Sequence, residues 1–126
     1  MRRLKATEHD EQTTIVSWWD ASCSGYGLPS IALIAIPNAN KLLRLARNSH
    51  ALAEYMRREG LRPGALDLLL AVPHKGKGGL WIENKIKPNK PSTEQIKMID
   101  FLECGYEVKV CYNADEGIKA IKEYLQ

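Results

Sequence analysis

Two apolar runs, each carrying an acid, constrain this chain more than anything else in it. The first, Leu66 to Val72, has Asp67 at its start and follows Gly60-Leu61-Arg62-Pro63-Gly64. The second, Leu80 to Ile86, contains Glu83-Asn84-Lys85, and a Gly/Lys-rich turn from Lys75 to Gly79 separates the two. Short apolar runs bounded by Gly and Pro read as strands, and so short a turn makes them a hairpin. Side chains alternate along a strand, so Glu83 and Lys85 point the same way. Two carboxylates near one point need a cation to offset their repulsion, and hard oxygen ligands favour Mg²⁺ or Mn²⁺. A lysine beside them can orient a water or stabilise a developing negative charge.

Bland readings compete with this one. Asp67 can cap a turn after Pro63-Gly64, and Glu83 with Lys85 can be a surface pair on an edge strand. Glu83 resists the second reading. It interrupts Leu80-Trp81-Ile82 in a strand that should be central, and buried carboxylates are rarely left unpaired.

The 126 residues make one domain, and the 44% apolar fraction is ample for a core. No stretch approaches the roughly 18 apolar residues of a membrane span. The basic start, Met1 to Lys5, is followed by no apolar segment of the kind a secretory signal needs, which predicts an intracellular, cytoplasmic protein. Cys23, Cys104 and Cys111 match no zinc spacing and read as reduced thiols, at least two of them in the core. The net charge of +3 says little, but its distribution says more. Arg2, Arg3 and Lys5 cluster at the start. Lys41, Arg44, Arg47, Arg57, Arg58 and Arg62 fill the middle. Lys75, Lys77, Lys85, Lys87 and Lys90 are expected around the paired acids. That pattern suits an approaching phosphate backbone; the alternative is a solvated lysine-rich face.

Thr7 is placed to cap a helix beginning near Glu8, with Ile15, Val16, Trp18 and Trp19 on its apolar side. Both tryptophans read as core, with stacking on a base as the alternative. Ile31 to Ile36 reads as a buried strand ended by Pro37-Asn38. Asn40 to Glu59 reads as a long helix capped by Gly60, with Asn48-Ser49 as a place for a break. Ser92 caps a helix backed by Ile96, Ile99, Phe101 and Leu102. A strand from Tyr106 to Tyr112 and a helix from Ala114 to Leu125 close the chain. Strands alternating with helices predict an α/β fold, a single domain with a mixed central sheet flanked by helices on both faces. The strand at Leu80, the helix at Ser92 and the strand at Tyr106 form a parallel crossover.

These pieces resemble the PD-(D/E)XK nuclease core, and within it the VRR-NUC family. Glu8-His9-Asp10-Glu11-Gln12 is similar to that family's opening acid-rich helix, and Ile36-Pro37-Asn38 to its strand-ending proline-asparagine. Gly60 through Asp67, Glu83-Asn84-Lys85, Ser92-Thr93-Glu94-Gln95 and Gly105-Tyr106-Glu107-Val108 resemble its later motifs. One departure is Leu66, where the family favours a proline. The resemblance implies a restriction-endonuclease-like core with one extra helix inserted at Asn40 to Glu59. It also implies a Mg²⁺- or Mn²⁺-dependent DNA endonuclease of the stand-alone phage and bacterial type, acting on branched DNA such as four-way junctions as a homodimer.

The implied metal ligands are Asp67, Glu83, the backbone carbonyl of Asn84, and a glutamate of the first helix. Sequence does not separate Glu8 from Glu11; Glu11 is favoured, and first-turn acids that merely complement the helix dipole are an equal alternative. Lys85 orients the attacking water, and Gln95 is expected to hold Lys85 or that water; the alternative for Gln95 is an exposed first-turn residue. Asn38 and Lys41 are weaker candidates for phosphate contact, and His9, His50 and His74 show no ligand spacing. Two rivals stand beside this reading: a nuclease without structure selectivity, and a catalytically silent nuclease-fold protein that binds DNA or a partner. A silent protein need not keep Asp67, Glu83 and Lys85 together.

Overall fold

The computed structural model describes residues 6–37 and 39–126. Arg2, Arg3, Lys5 and Asn38 lie outside the described residues, and so does the side chain of Lys41. Helix α1 (Glu8–Ser22) begins where Thr7 predicts. The Thr7 hydroxyl accepts from the Asp10 N–H at 3.1 Å, and the Asp10 carboxylate accepts from the Thr7 N–H at 2.9 Å. Strand β1 (Leu33–Ala35) is followed by α2 (Ala39–Leu45) and α3 (His50–Arg58), then by β2 (Leu68–Leu70), β3 (Leu80–Asn84), α4 (Thr93–Leu102), β4 (Glu107–Cys111) and α5 (Ala114–Tyr124).

The sheet runs β1-β2-β3-β4. β1 and β3 are antiparallel to β2, and β4 is parallel to β3, so the sheet is mixed as expected. Leu68, Leu70, Leu80 and Ile82 alternate onto one face. There they pack with Ile15 and Trp19 of α1 and with Ala120 and Ile121 of α5, and this is the core. Gly117 makes the packing of these two helices possible, since a Cβ there would collide with Ile15 Cδ1.

Three expectations need correction. The run from Ile31 does not form a buried strand. β1 is an outer edge strand, and Ile31 and Ile34 are exposed. The Trp19 indole N–H donates to the Ser30 carbonyl at 3.0 Å, where Ser30–Ala32 form a 3-10 turn that shortens the strand. The long helix from Asn40 is two helices. Ser49 accepts from the Leu52 N–H at 3.1 Å and starts α3 afresh. The apolar residues of α4 are not all core, because Leu102 is buried while Ile96 and Phe101 are exposed. Cys23 and Cys111 are buried, and all three cysteines are free. Trp19 is fully buried, and Trp18 packs against the core. Among the described residues, no helix is long and apolar enough to cross a membrane.

Candidate active site

The β2–β3 ladder pairs Leu70 with Leu80, Leu69 with Trp81 and Leu68 with Ile82. One more step in the same register sets Asp67 opposite Glu83. Asp67 keeps its place in the sheet, because its carbonyl accepts from the Ile36 N–H at 2.8 Å. Alternation puts both acids on the face away from α1 and α5. Like charges opposed across strands repel. Here the repulsion is aggravated by burial, since Glu83 is only 2% exposed. Burial, and then the Asp67 charge, pushes the Glu83 carboxyl up to about 8. Burial also raises Asp67, opposed by the hydrogen bond that its Oδ2 accepts from the Asn84 N–H at 2.7 Å.

The two oxygens of Glu83 differ. Oε2 lies 3.3 Å from Lys85 Nζ and accepts from Gln95 Nε2 at 2.8 Å. Oε1 is buried without a partner. Lys85 shares the face of Glu83, as its spacing predicts, and is 14% exposed. Gln95 reaches the site from the first turn of α4, where Ser92 and Gln95 cap each other. Its bond goes to Glu83, beside Lys85, where Lys85 or a water was the expected partner. The N-terminus of α4 is pressed against the chain entering β2 at Gly64, which has φ +94° and where a Cβ would lie 2.6 Å from the Glu94 carbonyl oxygen. The glycine before Asp67 thus seats the helix that delivers Gln95.

A buried carboxylate oxygen without a partner, an opposing carboxylate and a lysine fit a divalent cation. The Lys85 N–H turns to β4, donating to the Cys111 carbonyl, so the Asn84 N–H and carbonyl face the β2 side with Asp67. Asp67, Glu83 and the Asn84 carbonyl are therefore the groups that would hold such an ion. The expected third acid is not drawn in. Among the described residues, no three His, Cys, Asp or Glu side chains stand close enough to hold a metal.

The two first-helix glutamates separate cleanly. Glu8 lines the cleft of about 470 Å³ that contains Asp67, and its charge acts on Asp67. Glu11, the favoured candidate, is engaged elsewhere. Its Oε2 accepts from the Ala114 N–H at 2.6 Å at the start of α5, beside Lys87, Tyr112 and Asn113. The reason is helical geometry. Glu8, Gln12, Ile15 and Trp19 share the inward stripe, and Glu11 lies about 60° round the axis from Glu8.

Lys75 and Lys77 do not surround the acids. They sit in the turn closed by the His74–Lys77 bridge, at the opposite end of β3 from Glu83, because a hairpin's turn and its open end are far apart. Lys87 and Lys90 are exposed near the open end. The structure also joins two residues that sequence reasoning did not pair: Asn84 Nδ2 donates to Gln12 Oε1 at 3.3 Å. The spacing of Glu8 and Gln12 on one helix stripe was the available signal. Arg44 in the cleft wall had none.

No known family model matches the sequence, and no curated protein matches it either. A solved structure described as a VRR_NUC domain protein superposes with a TM-score of 0.75, at 23% identity, over 97% of this chain and 90% of that one. On that likeness, this chain is an α/β domain with a four-stranded mixed sheet and five helices, built on the fold of a VRR_NUC domain protein.

Proposed function

We propose that this chain is a metal-dependent DNA endonuclease that hydrolyses phosphodiester bonds and selects branched DNA such as four-way junctions. The observation that carries the reading is the opposition of Asp67 and Glu83, with Lys85 on the same face as Glu83, next to the cleft that Asp67 lines. The fold likeness to a VRR_NUC domain protein supports it. Asp67, Glu83 and the Asn84 carbonyl would hold Mg²⁺ or Mn²⁺. When bound, such an ion offsets the charge of a reacting phosphodiester and lowers the pKa of a water.

The chain's own groups do the rest. Gln95 ties down Glu83 Oε2 and leaves Oε1, which has no partner, free to act as a ligand. Lys85 Nζ orients the attacking water and adds a positive charge beside the phosphoryl oxygens as their charge grows. Glu8 lines the same cleft, where its carboxylate would accept hydrogen bonds from the waters of such an ion. Two-fold branched substrates suit a symmetric dimer, so the active form is a homodimer presenting two such sites.

The test is cleavage of a labelled four-way junction, a flap and a linear duplex, each with Mg²⁺, Mn²⁺ or chelator. Cleavage of the junction in preference to the duplex, abolished by chelator, is expected. No cleavage of any DNA with either ion would overturn the nuclease reading. Equal cleavage of all three substrates would remove the structure selectivity alone. Light scattering decides the dimer, since a mass near the 14.2 kDa of one chain would exclude it.

A further inference from the structure

We propose that Arg44 binds a backbone phosphate of the nucleic acid entering the Asp67 cleft, and that the last turn of α2 presents it there. This deepens the nuclease reading and rests on it.

The cleft has two walls and a floor. Glu8, His9 and Gln12 of α1 form one wall, Arg44 in the last turn of α2 stands in the other, and Asp67 lies at the floor. Glu8 and Asp67 make this an acidic entrance, with Glu83 just beyond. A phosphodiester strand is repelled by such an entrance unless fixed positive charge lies along its path. Among the described lining residues, Arg44 is the one that is always cationic.

Arg44 is also unspent. It makes no ion pair among the described residues, whereas Arg58 on α3 is held by Glu54 at 3.6 Å. A planar guanidinium offers two parallel donors that match two phosphate oxygens. The carboxylates of the cleft can then attract cations at the floor while the opposite wall attracts the substrate. Helix α2, between β1 and β2, gains a purpose as the carrier of that charge.

The experiment measures fluorescence anisotropy of a labelled duplex and a labelled four-way junction binding to the full chain. Ca²⁺ replaces Mg²⁺, and the salt concentration is varied. Arg44→Ala is expected to weaken binding roughly tenfold at low salt, the loss of one charge-assisted phosphate contact. It is also expected to reduce the slope of log affinity against log salt by about 0.9 on the duplex. Arg44→Lys keeps the slope, because the charge remains, but recovers only part of the affinity, because the two-donor fork is lost. Arg58→Ala, outside the cleft, keeps the wild-type slope. A wild-type slope in Arg44→Ala, or an equal loss of slope in Arg58→Ala, would overturn the proposal. Wild-type protein that binds neither DNA would instead bring down the nuclease reading on which it rests.

Discussion

Gln12 of α1 and Asn84 of β3 are bonded side chain to side chain, with Asn84 Nδ2 donating to Gln12 Oε1 at 3.3 Å. Asn84 is the residue between Glu83 and Lys85, and it points to the opposite face of the sheet from both. The helix that carries Glu8 is therefore tied to the backbone that carries Glu83 and Lys85. Gln12→Ala leaves a buried amide without its acceptor, because Asn84 is only 2% exposed. The expected cost is about 1–3 kcal/mol, read from urea unfolding. A variant as stable as wild type would mean that the bond contributes nothing.

Lys85→Met keeps the aliphatic stem and removes the charge. Cleavage is expected to fall on the order of 10²–10³-fold, the usual consequence of deleting one donor to a developing charge. DNA affinity in Ca²⁺ should stay close to wild type, because the ammonium acts mainly in the transition state. Single-turnover rates near wild type would deny Lys85 a catalytic role.

Without metal, stability should decline as pH rises from about 4.5 to about 8. Glu83 has its carboxyl raised from 4.5 to about 8 by burial and the Asp67 charge. Between those values the folded chain holds a proton that the unfolded chain has released, so raising the pH favours unfolding. Asp67 is shifted in the same direction, by burial. Chemical denaturation in chelator at pH 5 and pH 8 measures the difference. Glu83→Gln should flatten it, and Mg²⁺ should raise the melting temperature more at pH 8 than at pH 5. Equal wild-type stability at both pH values would show that the Glu83 carboxyl is not raised in the folded chain.

Gly64→Ala should be among the more costly glycine substitutions in the chain. Its φ of +94° is unfavourable for alanine, and the added Cβ would meet the Glu94 carbonyl oxygen at 2.6 Å. A loss of about 1–3 kcal/mol is expected from strain and displacement of α4. Cleavage should fall further than stability accounts for, since α4 delivers Gln95 to Glu83. Gly60→Ala is the comparison, because its φ of +99° is equally unfavourable but nothing lies within 4 Å of an added Cβ. Equal activity losses in the two variants would separate the helix contact from the site.

Much of this molecule was legible in its residues because the governing forces are local. Thr7 with Asp10 and Ser92 with Gln95 announce their helices through reciprocal hydrogen bonds that span one turn. Glu83 and Lys85 share a face because a strand has a period of two. What sequence could not supply is whatever depends on rotation or register between elements. Asp67 meets Glu83 only because the hairpin pairs Leu68 with Ile82, and a slip of one residue would send the acids to opposite faces. Glu8 and Glu11 are equivalent as first-turn acids; the docking of α1 on α5 gives Glu11 to the Ala114 N–H and leaves Glu8 to the cleft. Arg44 reaches the cleft because the last turn of α2 lies beside Ile36, Pro37 and Asp67. A run of basic residues does not encode that placement, because it arises from how whole elements pack.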